Sequence, residues 1–287
     1  MRVLVTGASG FVGAELVPAL AAAGHDVVAL VRDASRAPAD AGSVLELDLE
    51  QPLSPRDMPR VDAVVHLAQA NVSFQDAARE LYRVNTVATQ ELLEYARVTG
   101  AARFVYASSG SIFGLGEGTV SEDDPRRATD FYSVTKQSAE LLVGAYRDHF
   151  ATTIVRPFAP YGPTQTGRLI PNLIRRVREG LPVTLNDGGR PRMTPLYVDD
   201  VLRAFAAALE LDGHHVVNVA GDEAVGIDEL ASVIGDVVGR EPVFEHGPGA
   251  SGDLIADNAR MKELLAPGPL VPLADGLRAT ALAGTPA

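Results

Sequence analysis

Residues 1–13 read M-R-V-L-V-T-G-A-S-G-F-V-G, an apolar run that ends at a turn with three glycines. An alanine- and leucine-rich segment of helical character follows. A strand, a glycine turn and a helix in this order can bind the pyrophosphate of a dinucleotide, because the first-turn N–H groups and the helix dipole face the anion. One glycine allows the tight turn, a second lets the phosphates approach the backbone, and a third lets helix and strand pack closely. The stretch therefore predicts dinucleotide contacts from Gly7, Gly10, Phe11, Val12 and Gly13.

The composition is that of a globular protein. The 287 residues are 46% hydrophobic and 22% charged, and no apolar run reaches the roughly 18–20 residues that span a bilayer. The formal net charge of −12 argues against a nucleic-acid-binding protein, which needs a basic face. The chain has no cysteine and no leader-like segment before the first strand. We therefore expect a cytoplasmic protein without disulfides and without a membrane or nucleic-acid partner.

Apolar strands alternate with amphipathic helices along most of the chain. The predicted strands are 2–6, 26–31, 44–47, 63–67, 103–107, 152–156 and 216–219, and the predicted helices are 11–23, 77–98, 131–149, 169–179, 198–209 and 227–238. This alternation predicts an α/β fold, a doubly wound parallel sheet of the Rossmann type. Beyond residue 156 prolines become frequent and the pattern loosens. We assign residues 1–156 and 186–220 to a dinucleotide-binding domain, and 157–185 and 221–287 to a small C-terminal substrate-binding lobe.

A tyrosine and a lysine form a Y-x-x-x-K motif inside a predicted helix. Tyr132 and Lys136 then lie on one helix face, a turn apart. A cation at this distance, together with the positive nicotinamide of an oxidised cofactor, favours the phenolate of a side chain whose pKa is otherwise near 10. Ser109 lies 23 residues upstream at a strand end rich in hydroxyls, where a serine can hold a substrate oxygen. Ser108 and Ser111 compete with it for that role.

These motifs resemble the extended short-chain dehydrogenases/reductases, the NAD(P)-dependent epimerase/dehydratase family whose members modify nucleotide sugars. Matching segments follow in order from Gly7 to about Val201. The resemblance implies that Ser109, Tyr132 and Lys136 are catalytic, and that further cofactor contacts come from Asp48, Leu49, Leu67, Ala68, Asn85, Tyr132, Lys136 and Pro157. It implies substrate contacts from Ser109, Gly110, Ser111, Tyr132, Ala159, Asn172 and Arg192. It also implies a homodimer built on helices 77–98 and 131–149, in which Leu81, Leu92, Leu93, Leu141 and Leu142 either form the interface or pack on the sheet.

The end of the second strand bears on the choice of cofactor. In Rossmann sites an acidic residue here binds the ribose 2′-hydroxyl of NAD, whereas an arginine accommodates the 2′-phosphate of NADP. Val31 stands where the acid would be and Arg32 follows it, so we expect NADP. Asp33 keeps NAD possible, because a shift of one residue in the turn would present its carboxylate.

Departures from the family pattern narrow the reaction. Relatives often carry an asparagine that contacts the substrate diphosphate where this chain has Ala159, and dehydratases carry an acid–base pair where this chain has Gly110-Ser111. Dehydration is therefore disfavoured, which leaves C4 epimerisation or reduction of a 4-keto sugar. Two alternatives stay open: an NADPH-dependent reductase of a non-sugar carbonyl, and a non-catalytic dinucleotide sensor.

We predict no metal site. The acids Asp199 and Asp200 suit the start of a helix through its dipole, and His214 lies in a turn without a nearby set of ligands. His66 is expected to be a packed residue at a strand end rather than a base.

Overall fold

The computed structural model describes residues 1–70, 74–249 and 252–283. Its strands are β1 (Arg2–Thr6), β2 (Asp26–Val31), β3 (Ser43–Glu46), β4 (Ala63–His66), β5 (Arg103–Ala107), β6 (Thr119–Val120), β7 (Ala151–Pro157), β8 (Pro160–Tyr161), β9 (Val183–Leu185), β10 (Leu196–Tyr197), β11 (His214–Val219), β12 (Phe244–His246) and β13 (Ile255–Ala256). Its α-helices are α1 (Phe11–Ala22), α2 (Phe74–Tyr82), α3 (Ala88–Thr99), α4 (Phe131–Ala145), α5 (Leu169–Glu179), α6 (Val198–Ala208), α7 (Ile227–Val238), α8 (Ala259–Leu264) and α9 (Leu273–Ala283).

The main sheet has seven strands in the order β11-β7-β5-β4-β1-β2-β3. The chain builds outward from β1 to β3 on one side, then crosses to β4 and continues through β5 and β7 on the other. β1 pairs in parallel with β2 and β4, and β5 pairs in parallel with β4 and β7. β4 is buried along its whole length, as expected for a strand covered on both faces. The predicted α/β fold with a doubly wound parallel sheet is confirmed.

The strand order reverses between β1 and β4. In open α/β sheets, ligands bind outside the carboxyl ends of the strands at such a reversal. The glycine turn follows β1 directly, so the fold places the turn at this point.

The chain divides into two compact units. The first contains Met1–Ile112, Arg126–Arg156 and Leu202–Val217, and the second contains Phe113–Pro125, Pro157–Val201 and Asn218–Ala287. The expected domains differ from these units mainly in residues 113–125 and 186–201, which belong to the second unit. The reason is pairing between distant segments: β6 pairs with β13, and β10 pairs with β8. Strands of two residues leave too short a pattern to be recognised in the sequence.

The predicted helix 77–98 is interrupted. A π-helical turn, Arg83–Val87, separates α2 from α3, and such turns occur frequently at functional sites. α4 ends at Ala145 rather than at His149. Within residues 1–70, 74–249 and 252–283, no helix combines the length and the apolar character that a membrane span requires.

The leucines expected on the helix pair have different environments. Leu81, Leu92 and Leu93 are fully buried in the core of the first unit, and Leu142 packs against that core. Leu141 is 65% exposed. Of the five residues, only Leu141 therefore remains a candidate for an interface; the other four pack inside the first unit.

Candidate active site

The glycine turn is closely packed. Gly7 has φ +66°, and a Cβ atom there would lie 2.7 Å from the backbone nitrogen of Ala68. A Cβ atom at Gly13 would lie 2.2 Å from the Gly7 carbonyl oxygen. Gly10 is the N-cap of α1, which has no side-chain cap and no acidic residue in its first turn. The first-turn N–H groups and the positive end of the helix dipole are therefore left for an anion, so these residues fit a dinucleotide pyrophosphate.

The turn after β2 presents a cation. Arg32 is exposed, and no described residue holds its guanidinium by a hydrogen bond or ion pair. The Asp33 carboxylate accepts hydrogen bonds from the Ser35 hydroxyl at 2.7 Å and from the Ser35 N–H at 2.9 Å. These two bonds lower the pKa of Asp33. The Asp33 carboxylate therefore caps this turn, whereas the Arg32 guanidinium makes no hydrogen bond or ion pair with a described residue.

The other expected cofactor residues of the first unit follow β3 and β4. Asp48 is half-buried and accepts the N–H two residues later at 3.0 Å, while Leu49 is buried. The N–H of Leu67 donates to the Thr6 carbonyl at 3.3 Å, and the N–H of Ala68 donates to Thr6 Oγ1 at 3.2 Å. Leu67 and Ala68 therefore lie beside the end of β1, where the glycine turn begins.

Lys136 connects α4 to the end of β5 by a hydrogen bond. Its side chain is buried, and Nζ donates to the carbonyl oxygen of Ala107 at 2.5 Å and lies 4.6 Å from the centroid of the Tyr106 ring. Burial lowers the pKa of Lys136 to about 7, although nearby Glu140 acts in the opposite direction. An ammonium group has three donors, so the contact with Ala107 leaves capacity for the expected cofactor contact.

Tyr132 lies one turn before this lysine. A capping box between Asp130 and Ser133 fixes the start of α4. The Tyr132 hydroxyl donates to Oε1 of Gln69 at 2.7 Å. Gln69 was not anticipated from the sequence, because no motif marks a lone glutamine 63 positions away from the tyrosine.

Three serine hydroxyls lie just beyond β5, close to the carbonyl that Lys136 binds. Ser109 is half-buried, and its Oγ accepts the N–H of Ser111 at 3.2 Å. Gly110 begins the 3-10 turn Gly110–Phe113. The Oγ atoms of Ser108 and Ser111 are buried without a hydrogen-bond partner among the described residues. A buried hydroxyl without a partner is costly, so this strand end fits a ligand oxygen, and Ser109 stays the predicted catalytic serine.

Asn85 lies in the π-helical turn and braces the site. Its Oδ1 accepts the N–H of Ala70 at 2.8 Å, and its Nδ2 donates to Thr135 Oγ1 at 3.1 Å. The hydroxyl of Thr135 donates in turn to the Tyr132 carbonyl at 2.7 Å. Both ends of the amide are therefore used to join the segment after β4 to the first turn of α4.

His66 is a packed residue. It is fully buried, with Nδ1 2.7 Å from Thr6 Oγ1 and Nε2 2.9 Å from Thr89 Oγ1. Burial, and to a smaller extent the charge of Lys136, lowers the pKa of His66 to about 3. The ring is neutral at physiological pH and holds three elements together.

A buried ion pair lies one turn beyond Lys136. Glu140 accepts from Arg156 Nε and Nη2, both at 2.8 Å, and Arg126 Nε lies 3.3 Å away. Arg156 and Glu140 are almost completely buried. The sequence held one signal of this pair, a glutamate four residues after the lysine on the same helix face.

The remaining expected residues belong to the second unit. Pro157 ends β7, and Ala159 has a left-handed φ of +40° and accepts the Leu196 N–H at 3.4 Å. Asn172 is exposed in the first turn of α5. The guanidinium of Arg192 donates to the Ala224 carbonyl at 2.6 Å. These placements leave the substrate roles of Ala159, Asn172 and Arg192 as predictions.

Asp199 and Asp200 lie in the first turn of α6. The Asp200 carboxylate is buried and accepts the Val271 N–H at 3.0 Å, so it serves the fold of the second unit. No group of three or more potential ligands is present in the described part of the chain.

A model of the NAD dependent epimerase/dehydratase family matches residues 3–220. The chain belongs to this family. It is 30% identical to a dTDP-4-dehydro-6-deoxy-D-allose reductase of Streptomyces bikiniensis, over 97% of this chain and 94% of the relative. It is 37% identical to a 3-diazoavenalumate denitrifying reductase of a Streptomyces species, over 78% of this chain and 77% of the relative. The structure of MoeE5 in complex with UDP-glucose and NAD has a TM-score of 0.88 and 31% identity, covering 99% of this chain and 98% of that one. The family resemblance of the motifs is confirmed.

Proposed function

We propose that this protein uses a nicotinamide dinucleotide to epimerise a nucleotide sugar or to reduce its 4-keto group. The main observation in support is the hydrogen bond from Lys136 to the Ala107 carbonyl. This bond holds the part of α4 that contains Tyr132 against the end of β5, two residues before Ser109. The family and two of its relatives support the substrate class: one is named as a dTDP-keto-sugar reductase, and MoeE5 was solved with UDP-glucose and NAD.

Hydride transfer at the sugar carbon is accompanied by transfer of one proton at the sugar oxygen, and the protein's residues perform this proton transfer. Nicotinamide, when bound, supplies or accepts the hydride. Tyr132 gives its proton to the sugar oxygen during reduction and takes it back during oxidation. Ser109 hydrogen-bonds the same oxygen, and the Lys136 ammonium favours the phenolate. Epimerisation uses both directions in turn, and net reduction uses one.

The exposed Arg32 supports NADP as the preferred cofactor. The neighbouring carboxylate of Asp33 is held by Ser35, while Arg32 is held by no described residue. A guanidinium is suited to a phosphate. The NAD in the MoeE5 structure keeps NAD as the alternative cofactor.

A second candidate is reduction of a non-sugar carbonyl. The 3-diazoavenalumate denitrifying reductase shares 37% identity with this chain and is not named as a sugar enzyme. Ala159 also lacks the polar side chain that a diphosphate contact at this position would need.

The test is a substrate screen with purified protein. Nucleoside diphosphate sugars, 4-keto sugars and aryl ketones would each be incubated with NAD, NADH, NADP or NADPH, with cofactor absorbance and product identity followed together. A C4 epimer or a reduced keto sugar is the expected product. Turnover of aryl ketones alone would favour the second candidate, and cofactor binding without any turnover would favour a sensor.

The face of α4 around Leu141 supports a homodimer. Leu141 is 65% exposed and Val134, seven residues earlier, is 45% exposed, so both lie on one face of the helix. Leu141→Glu should shift the protein towards monomer in analytical ultracentrifugation. Leu282→Glu is the matched control, because Leu282 is 62% exposed in the second unit. A monomeric wild-type protein would contradict the proposal.

A further inference from the structure

The side chain of Gln69 contacts the Tyr132 hydroxyl, the group that we assign to proton transfer. The Tyr132 hydroxyl donates to Gln69 Oε1 at 2.7 Å. An amide oxygen has the same acceptor geometry as a carbonyl oxygen, so the tyrosine already makes in this structure the kind of hydrogen bond that its reaction requires.

The backbone that carries Gln69 is anchored on both sides. The Ala68 N–H donates to Thr6 Oγ1 at 3.2 Å. The Ala70 N–H donates to Asn85 Oδ1 at 2.8 Å. Gln69 itself is exposed, and its side chain reaches the tyrosine from this anchored stretch of backbone.

These contacts close into a ring around Tyr132. Asn85, which holds Ala70 through its oxygen, donates through its nitrogen to Thr135 at 3.1 Å. Thr135 donates to the Tyr132 carbonyl at 2.7 Å. Hydrogen bonds therefore hold Tyr132 at two points. At its backbone, Thr135 and Asn85 connect the Tyr132 carbonyl to Ala70. At its hydroxyl, the tyrosine is bonded to the side chain of Gln69, the residue before Ala70.

We propose that Gln69 is a positioning residue that orients the Tyr132 hydroxyl during proton transfer. A carboxamide offers an acceptor oxygen and a donor NH₂ group. In the ligand-free protein its oxygen accepts from the phenol. When the single phenol proton is directed at the substrate oxygen, the amide, turned about its last bond, donates through its NH₂ group to the tyrosine oxygen, both before transfer and in the phenolate. The proton moves between the phenol and the substrate oxygen, and Gln69 neither gains nor loses one. The inference rests on the proposed role of Tyr132.

Charged and titratable groups lie near Tyr132, and Gln69 differs from them in being neutral. Lys136, buried one turn away, supplies a positive charge in its protonated form. Glu140 lies a further turn along and is held by Arg156. Burial, with smaller contributions from Tyr132 and Glu140, raises the pKa of Tyr106, so that its phenol stays protonated. Gln69 adds direction to the hydrogen bond without adding charge.

The first test replaces the amide by an apolar side chain of similar size. Gln69→Leu should lower kcat by a factor between about 2 and about 10, which corresponds to one ordinary hydrogen bond, with little change in KM for the cofactor. Gln90→Leu makes the same change on the exposed face of α3 and should leave kcat unaltered. Full turnover in Gln69→Leu would overturn the proposal.

The second test needs neither substrate nor cofactor. Tyrosinate absorbance is titrated in the ligand-free protein, and the contribution of Tyr132 is obtained by subtracting the Tyr132→Phe curve. Gln69→Glu places a carboxylate against the phenol and should move this titration to higher pH by about one unit. An unmoved titration would mean that residue 69 does not contact Tyr132. Because the readout requires no turnover, it separates failure of this inference from failure of the proposed function.

Discussion

The polar site residues expected in the two units lie in different surroundings. In the first unit, Lys136, Asn85 and His66 are buried and each is hydrogen-bonded inside the protein. In the second unit, Asn172 is exposed and the Arg192 side chain is 47% exposed. A buried polar group needs a partner with good geometry, whereas an exposed one is satisfied by water. These three residues of the first unit are therefore held in one arrangement, whereas Asn172 and Arg192 of the second can be replaced at lower cost to stability.

One ion pair from each unit shows the same contrast. Arg156 and Glu140 of the first unit are 0% and 2% exposed at their side chains. Arg175 and Glu179 of the second are 52% and 50% exposed. Removing one partner of a buried pair leaves an uncompensated charge, but exposed pairs contribute little. Equivalent substitutions in the buried and the exposed pair should therefore have unequal effects on stability.

The largest effect is expected at Tyr132. Tyr132→Phe removes only the ionisable hydroxyl, so kcat should fall by roughly 10²–10⁴, the usual contribution of a positioned acid or base. Affinity for cofactor and substrate should change much less, and the pH–rate profile should lose one limb. Tyr82→Phe, at a 53% exposed position, is the control. Near-normal turnover in Tyr132→Phe would mean that another group carries the proton.

The next effect is on stability. Glu140→Leu leaves Arg156 buried without its carboxylate, and should lower the free energy of unfolding by about 3–5 kcal/mol. Glu179→Leu in the exposed pair should lower it by less than about 1 kcal/mol. Urea denaturation measures both. Similar losses in the two variants would contradict the contrast between the buried and the exposed pair.

A smaller effect is expected at Arg32, which is an exposed side chain of the first unit. Arg32→Ala should weaken NADPH binding by about 1–3 kcal/mol, the range for a hydrogen bond to a charged group, and should leave NADH binding nearly unchanged. Calorimetry with both cofactors tests this. Equal losses for the two would show that the guanidinium does not recognise the 2′-phosphate.

The last effect, which is gradual per pH unit, is the pH dependence that His66 adds to stability. The pKa of His66 is about 3 in the folded protein and 6.5 as its ordinary value. Below pH 6.5 the unfolded chain takes up a proton that the folded protein does not. The free energy of unfolding should therefore fall with pH from 6.5 towards 3, by at most about 1.4 kcal/mol per pH unit. In His66→Gln, the free energy of unfolding measured by urea denaturation should lose this slope between pH 6.5 and 5. His246→Gln, in exposed β12, is the control and should keep the slope. An unchanged slope in His66→Gln would contradict the neutral, buried state.

Most main-sheet strands could be predicted to within a residue or two, because a buried parallel strand is a continuous apolar run. The glycine turn and the pairing of Tyr132 with Lys136 were equally accessible, since each depends on spacing within one turn or helix. The helix 77–98 was predicted as continuous, because a π-helical turn has no signature in the apolar pattern. The domain boundaries near residues 113–125 depended on β13, more than a hundred residues away.

The sequence by itself determined the class of fold, the turn that fits a pyrophosphate and the tyrosine–lysine motif. Each follows from sterics and hydrogen-bond spacing among residues a few positions apart. Only the tertiary structure decided that Lys136 binds Ala107, that Arg156 neutralises Glu140 and that Gln69 meets Tyr132. Such contacts depend on the order in which strands join the sheet, and that order brings together residues whose separation along the chain carries no signal.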